Sequence, residues 1–275
     1  SYAKINLGLE ILEKRPDGYH NIYSIFLPIT LFDEIHFKTA SKFTITIELN
    51  NIEIPIKENI IYKTIKLIQN KYKININFLH IHLVKRIPIG AGLGGGSSNA
   101  ATTLLALNKL FKLNLAKEQL IELARQLGAD VPFFIDPKPA VVSGIGEIIE
   151  PVDFPFDFDI LLIYPNFSIS TAFAYSLIQN LVQKEPTNYK KLVQSLKDIS
   201  DFRQYFFNDF ENFLFPRYPI LKEIKENLYK LGAKFASLSG SGSTIYGFFS
   251  KNTTLDGTLA SRFQSMLCLK TNILK

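Results

Sequence analysis

The sequence predicts a protein of mixed strands and helices in two domains, and three observations carry that prediction. Alternating apolar runs open the chain and recur along it. One of them, Phe78 to Lys85, feeds a glycine-rich loop and then an Ala- and Leu-rich helical run, Ala100 to Phe111, which is followed by another helical run instead of a strand. Near Pro151 to Asp159 the composition shifts to three acidic residues and two prolines, which marks a boundary between domains at 1–153 and 154–275.

The bounds agree. A chain of 275 residues, 47% apolar, suits one large domain or two small ones with a sizeable core. The net charge of +6 is modest and its basic residues are spread. It suits small anionic molecules, and no basic run with interleaved aromatics points to nucleic acid. The single cysteine, Cys268, excludes a disulfide within the chain and a Cys-based metal site, and is expected to be a small buried hydrophobe. No apolar run reaches membrane length and no secretory apolar region opens the chain. The expectation is a cytoplasmic protein without a membrane partner, with monomer and homodimer both open.

Taken in order, Tyr2 to Leu12 alternates, with Ala3, Ile5, Leu7, Leu9 and Ile11 on one face and Lys4, Asn6, Gly8 and Glu10 on the other. Lys4 and Asn6 thus lie side by side, about 7 Å apart by strand rise. On spacing alone the expected role of that face is a solvated exterior. Lys14 to Gly18 is a turn, followed at once by Tyr19-His20. Asn21 to Phe37 reads as two strands broken near Asp33, and Lys42 to Leu49 as another. Glu58-Asn59 opens a helix with Ile60, Ile61, Ile65 and Ile68 on one face. In the Phe78 to Lys85 strand, His80 and His82 point together away from the core. No third ligand accompanies them, so a solvated or capped face is expected in preference to a metal site. A helix from Lys117 closes at Gly128, read as a C′ glycine, and Asp130 sits in a corner before an apolar strand, Phe133 to Ile135. A small glycine turn spans Val142 to Glu147.

The second half opens on a buried strand, Ile160 to Tyr164. Ser168 to Thr171 caps a helix from Ala172 to Leu181, and helices follow at Tyr189 to Leu196 and Ile220 to Leu231. The strand Lys234 to Leu238 runs into Ser239-Gly240-Ser241-Gly242-Ser243-Thr244 and then the strand Tyr246 to Phe249. This second small-residue loop is equally a hairpin-like turn and a second source of backbone N–H groups for an anion. A helix near Leu259 to Met266 and a last strand close the chain.

The chemistry centres on Pro88-Ile89-Gly90-Ala91-Gly92-Leu93-Gly94-Gly95-Gly96-Ser97-Ser98-Asn99, with five glycines in seven residues. Glycine lets backbone curl tightly and approach a ligand. Ser97, Ser98 and Asn99 read as N-cap residues for the following helix. A helix N-terminus leaves backbone N–H groups without helical partners and carries partial positive charge, so the loop and helix together suit phosphate. Gly90, Gly92 and Gly95 match the dinucleotide fingerprint, but the required second strand is missing; the P-loop lysine is missing too, with Gly96 in its place. A phosphate loop, a lysine, an aspartate and a second small-residue loop are the kinds of parts phosphoryl transfer uses. Spacing alone does not bring Lys4 and Asp130 together.

These residues resemble the GHMP kinases (galactokinase, homoserine kinase, mevalonate kinase, phosphomevalonate kinase). Within them the chain is most similar to the family that phosphorylates 4-diphosphocytidyl-2-C-methyl-D-erythritol in non-mevalonate isoprenoid synthesis. The matching stretches are Ala3 to Leu7, Arg15 to His20, Glu58-Asn59, Gly90 to Ala101, Gly128 to Pro132, Asn208 to Glu211 and Leu238 to Gly242. They occur in the family's order and span nearly the whole chain. The glycine loop carries the superfamily; Arg15-Pro16-Asp17-Gly18-Tyr19-His20 and the Gly-Gly-Gly-Ser-Ser-Asn form of the loop narrow it.

The resemblance implies an α+β, two-domain GHMP kinase fold, with a ribosomal S5 domain 2-like N-terminal domain, a ferredoxin-like C-terminal domain and the active site between them. It implies ATP phosphates on Pro88, Gly90, Gly92, Leu93, Gly94, Gly95, Gly96, Ser97 and Ser98, and adenosine near Asn59 and Lys85. Asp130 is implied as the base for the 2-hydroxyl and Lys4 as its neighbour beside the transferring group. Asn6 is implied to touch the substrate, Tyr19 to stack on cytosine, His20 to read the base's edge, and Tyr175, with Thr171 nearby, to supply a second aromatic. Mg²⁺ is expected with ATP; no dedicated carboxylate cage is visible, so its ligands stay unassigned. A kinase of another small alcohol is the alternative, opposed by Tyr19-His20, since homoserine and mevalonate have no base to stack. A nucleotide sensor or an S5-like nucleic-acid module is a further alternative, opposed by the intact Lys4 and Asp130 and by the scattered basic charge.

Overall fold

The alternation that opens the sequence becomes a long strand, β1 (Tyr2–Lys14), and the turn after it leads into β2 (His20–Phe32). The structure, a computed structural model, describes residues 1–48, 57–178, 185–254 and 262–274. After the break at Asp33 come β3 (Glu34–Thr39), β4 (Thr44–Glu48), α1 (Ile60–Tyr72), β5 (Leu79–Val84), α2 (Gly95–Leu110) and α3 (Lys117–Arg125). A 3-10 turn at Pro132–Ile135 precedes β6 (Ala140–Ser143), β7 (Ile148–Pro151), β8 (Asp159–Tyr164), α4 (Thr171–Ser176) and α5 (Tyr189–Ser195). Another 3-10 turn, Ile199–Asp201, leads into α6 (Phe202–Tyr205), α7 (Glu211–Leu214), α8 (Pro219–Lys230), β9 (Phe235–Leu238), β10 (Ile245–Phe249) and β11 (Leu267–Thr271).

These elements form two compact units that interleave in sequence. The first holds 1–3, 31–88 and 94–137; the second holds 4–30, 89–93 and 138–275. The glycine loop is therefore shared, its first part in the second unit and its helix in the first.

In the first unit, β5 is the centre of a three-stranded sheet ordered β3-β5-β4. It pairs antiparallel with β3 (Ile35 opposite Leu83) and parallel with β4 (Ile45 opposite Ile81). Leu79, Ile81 and Leu83 are buried, as are Ile61, Ile65 and Ile68 of α1 and Leu104 and Leu107 of α2. Period 2 in the strand and period 3.6 in the helices thus supply one apolar layer each. On the other face, Thr44 Oγ1 lies 2.7 Å from His80 Nδ1 and Thr46 Oγ1 2.9 Å from His82 Nδ1. The two histidines are capped by threonines of the neighbouring strand, as the sequence led one to expect.

The second unit contains two four-stranded sheets, ordered β1-β2-β6-β7 and β11-β8-β10-β9. The latter is antiparallel throughout, with Ile163 opposite both Ile245 and Cys268, and Ile245 opposite Leu238. Its apolar face packs with Leu221, Ile224 and Leu228 of α8, Phe210 and Leu214, and with Leu9 and Ile11 of β1 in one core. Cys268 is half-buried against that core, and burial pushes its thiol up.

Four local expectations change. Phe133 to Ile135 is a 3-10 turn, not a strand, because Pro132 at its start favours a helical turn and lacks the N–H a ladder needs. Gly128 is not a left-handed C′ residue: its N–H returns to Ala124 O and its carbonyl accepts from Val131 N, so the chain leaves the helix in right-handed turns. Helix α2 begins at Gly95, five residues before the Ala100 expected. The helix from Ala172 is short, ending at Ser176; its expected end at Leu181, the strand end at Leu49 and the beginning of the Leu259 to Met266 helix lie outside the described residues.

Candidate active site

The polar face of β1 is not solvated. Lys4 is 4% exposed and Asn6 1%, which corrects the expectation of an exterior face. Alternation gives the two faces of a strand but not what covers them. Lys4 Nζ donates to Asn6 Oδ1 at 2.5 Å and lies 4.3 Å from the ring centroid of Phe26. Asn6 Nδ2 donates to Ser24 Oγ at 3.0 Å, and Tyr246 OH donates to the Asn6 carbonyl at 2.7 Å. The main-chain N–H of Lys4 donates to Leu93 O at 3.0 Å, which ties this strand to the glycine loop. Two candidate residues from the first strand and one from the loop are thus brought together.

The first part of the loop is held by the Ser239 to Thr244 loop. Gly92 has φ +76, and a Cβ there would lie 2.0 Å from Ser239 O; Gly90 has φ +62, and its Cβ would lie 2.6 Å from Ser168 Cβ. Only glycine fits either position. Ser239 Oγ donates to Gly92 O at 2.9 Å, Thr244 N to Ala91 O at 3.2 Å and Ile169 N to Gly90 O at 3.2 Å. The second Ser/Gly loop is the turn between β9 and β10; Ser239, Ser241, Ser243 and Thr244 are buried, and the loop serves as a seat for the glycine loop. Asn208 fixes this seat, its Nδ2 donating to Leu238 O and Gly240 O, both at 2.8 Å. Asp209 Oδ2 accepts from Ile11 N and Glu211 Oε1 from Leu238 N. The Asn208-Asp209-Phe210-Glu211 stretch, matched only by resemblance, is thereby a clasp between β1 and the end of β9.

Across the same unit, His20 stacks on Tyr175, with ring centroids 5.3 Å apart and an interplanar angle of 14°. Tyr175 is braced edge-on by Phe210. Thr171 Oγ1 lies 3.1 Å from Ser241 Oγ. Tyr19, 60% exposed, presents its ring to solvent. Desolvation, then the nearby Lys14, holds His20 below the usual histidine range. It is therefore neutral at pH 7, with one N–H and one lone pair to offer.

In the first unit, the helix after the glycine loop starts inside the glycine run. Gly94 is its N-cap at φ +69, and Ser98 N already bonds Gly94 O at 2.9 Å. Ser97, Ser98 and Asn99 therefore lie inside the helix and do not cap it. The earliest helical amides, of Gly95, Gly96 and Ser97, have no carbonyl one turn back, and a Cβ on Gly96 would meet nothing within 4 Å. That is backbone polarity next to open space, the requirement for a phosphate seat.

The entry to the loop is governed by Asp33, which the sequence marked only as a strand break. Its Oδ2 accepts from Lys85 Nζ at 2.6 Å and Asn99 Nδ2 at 2.9 Å; its Oδ1 accepts from the main-chain N–H groups of Arg86 and Ile87, both at 2.8 Å. Lys85 also donates to Ile87 O at 2.7 Å. Burial holds this lysine below its usual range, with the Asp33 charge opposing. The donors to Asp33 converge from the loop entry just after β5 and from α2, and no local pattern signals that role. Gly95 sits on this cluster, since its Cβ would lie 2.9 Å from Lys85 Nζ. Pro88, half-buried, follows Ile87 directly. Asn59 caps α1, its Oδ1 accepting from Ile61 N at 2.8 Å, which leaves its amide nitrogen out of the cap. Asp130 is half-buried in the turn before Pro132. Among the described residues no group of three or more His, Cys, Asp or Glu is arranged to hold a metal ion, and no helix is long and apolar enough to cross a membrane.

Comparison with known proteins adds an independent line. Residues 59–137 match the family described as GHMP kinases N terminal domain, and residues 189–263 the family GHMP kinases C terminal. The 4-diphosphocytidyl-2-C-methyl-D-erythritol kinase of Bacteroides fragilis (strain YCH46) is 42% identical over 273 residues, covering 96% of this chain and 97% of the relative. That of Thermodesulfovibrio yellowstonii is 40% identical over 262 residues, covering 92% and 90%. A crystal structure of 4-(cytidine 5'-diphospho)-2C-methyl-D-erythritol kinase superposes with a TM-score of 0.78 at 28% identity, over 100% of this chain and 98% of that one. The mevalonate kinase of Methanococcus jannaschii, at 14% identity and TM-score 0.69 over 100% and 99% of the chains, shares the fold.

Removing the Asp33 carboxylate leaves the buried Lys85 ammonium uncompensated. Asp33→Ala is expected to destabilise the protein by about 3–5 kcal/mol, read as a lowered midpoint in urea unfolding. A midpoint unchanged from wild type contradicts the buried pair.

Proposed function

Because the chain belongs to the 4-diphosphocytidyl-2-C-methyl-D-erythritol kinase family of the GHMP kinases, we propose that it transfers the γ-phosphoryl group of MgATP to the 2-hydroxyl of 4-diphosphocytidyl-2-C-methyl-D-erythritol, releasing ADP. The chain is an ATP-dependent small-molecule kinase of two-domain α+β fold. The observation that carries the substrate assignment is the stacking of His20 on Tyr175 beside the exposed Tyr19. Two flat apolar rings and a neutral imidazole suit a cytosine, which needs stacking faces and an edge reader that both donates and accepts.

In this reading the Asp130 carboxylate takes the proton of the 2-hydroxyl as its oxygen attacks the γ-phosphorus. The bond from that phosphorus to the bridging oxygen of ADP breaks in line. The Lys4 ammonium offsets charge on the transferring group, and Asn6 holds that ammonium and touches the acceptor alcohol. Gly90 and Gly92 to Ser98, led in by Pro88, cradle the ATP phosphates through backbone N–H groups. Asn59 and Lys85 border the adenosine, Lys85 through the backbone course that Asp33 sets. Thr171 stands beside the cytidine with Tyr175. Most of the rate enhancement in such a site comes from position and fixed charge.

Two variants test the assignment. Asp130→Asn is expected to lower kcat by at least about 100-fold while nucleotide binding, measured by calorimetry, persists; near-normal turnover removes Asp130 from the mechanism. Tyr19→Ala is expected to raise KM for the cytidine substrate by roughly tenfold, as a lost stacking partner does, and to leave KM for ATP unchanged. Equal loss for both substrates makes Tyr19 a structural residue.

A further inference from the structure

We propose that Ser24 is a positioning residue for phosphoryl transfer, holding the Asn6 amide in the one orientation that presents its oxygen to the Lys4 ammonium. The proposal rests on the reading of Lys4 as the charge stabiliser. Ser24 lies on β2 and is fully buried. It acts through Asn6.

The orientation follows from counting protons. Asn6 Nδ2 lies 3.0 Å from Ser24 Oγ, and Asn6 Oδ1 lies 2.5 Å from Lys4 Nζ. An ammonium has donors only, so the amide atom facing it must be the oxygen. A hydroxyl has one proton, and that of Ser24 has two carbonyls in reach, Gly8 O at 2.5 Å and Ile25 O at 3.4 Å. With the proton committed to a carbonyl, Oγ can only accept from Asn6. Rotating the amide by half a turn would set donor against donor at the lysine and acceptor against acceptor at the serine. Both ends therefore select the same rotamer, and the serine end does so without touching substrate.

The surroundings remove other freedoms. Tyr246 OH pins the Asn6 carbonyl. The serine's main acceptor is fixed as well: Gly8 has φ +65, and a Cβ there would lie 2.6 Å from Tyr189 OH. A buried amide with no serine partner must either leave its N–H₂ unsatisfied or turn, and turning drives the lysine off its place. A misplacement of this kind is felt in the transition state, where the ammonium must meet the transferring group.

The test is steady-state kinetics on the intact protein for wild type, Ser24→Ala, Asn6→Ala and the double variant, with ATP and the cytidine substrate. Ser24→Ala is expected to lower kcat roughly 10- to 100-fold with both KM values unchanged, and Ser24→Thr, which keeps the hydroxyl, to restore it. In the Asn6→Ala background, Ser24→Ala is expected to add no further loss, because its only route is gone. Wild-type kcat in Ser24→Ala, or a full additional loss in the double variant, overturns the proposal. If Ser24→Ala does not fold, Ser24→Cys, similar in size but a weak acceptor, carries the same expectation. Lys4→Met separates the two levels: if it turns over normally, the reading of Lys4 fails. If it is inactive while Ser24→Ala is normal, only the role of Ser24 fails.

Discussion

The close approach of Gly92 to the Ser239 carbonyl is the constraint on which the second unit's candidate residues depend. There is no room for a Cβ at Gly92, and its φ of +76 excludes one independently. With glycine there, the loop comes to rest on a seat whose own position is set by the two carbonyls that Asn208 clasps. Gly240 in that seat also stands against Asn6, where a Cβ would lie 3.3 Å from Oδ1. The first strand meets the same loop through the Lys4 N–H and Leu93 O. Loop, seat, clasp and strand thus form one hydrogen-bonded network.

The first unit uses a different device for the other end of the loop. Asp33 gathers four donors on two oxygens and joins the residues just after β5 to Asn99 of α2. A buried ion pair of this kind adds little net stability over an apolar replacement, but losing one partner is costly. Its effect is to fix geometry. The chain is held at Arg86 and Ile87 just before it turns into the glycines, and the helix starts where its open N–H groups follow that turn.

Much of this was legible in the sequence. The period-2 run from Tyr2 located β1 and placed Lys4 beside Asn6; the glycine run between a strand and a helix located the loop from which α2 starts; the Tyr19-His20 pair after its turn located an aromatic surface. Each is a local pattern with a local cause. What stayed hidden depends on residues distant in sequence. Lys4 and Asn6 read as solvated because alternation is blind to Tyr246, Ser24 and Gly240, which stand against Asn6, and to Phe26, whose ring lies against Lys4. Ser97 to Asn99 read as caps by residue type, but the glycines before them already take the helical path. Asp33 carried no signal beyond a break between strands, since its four donors come from 52 to 66 residues away. The Ser239 to Thr244 loop was equally a turn and an anion site by composition, and its packing against Gly92, distant in sequence, had no local signal.

In the function proposed, a GHMP kinase scaffold is specialised for an acceptor carrying a cytosine. A structure at low identity, the mevalonate kinase of Methanococcus jannaschii, shares the fold, so the fold does not choose the acceptor, and Tyr19, His20 and Tyr175 are the side chains proposed to do so. The most direct measurement is ATP consumption by the purified protein with 4-diphosphocytidyl-2-C-methyl-D-erythritol, homoserine and mevalonate offered separately. Turnover is expected with the cytidine compound alone. Turnover with homoserine or mevalonate and none with the cytidine compound would contradict it.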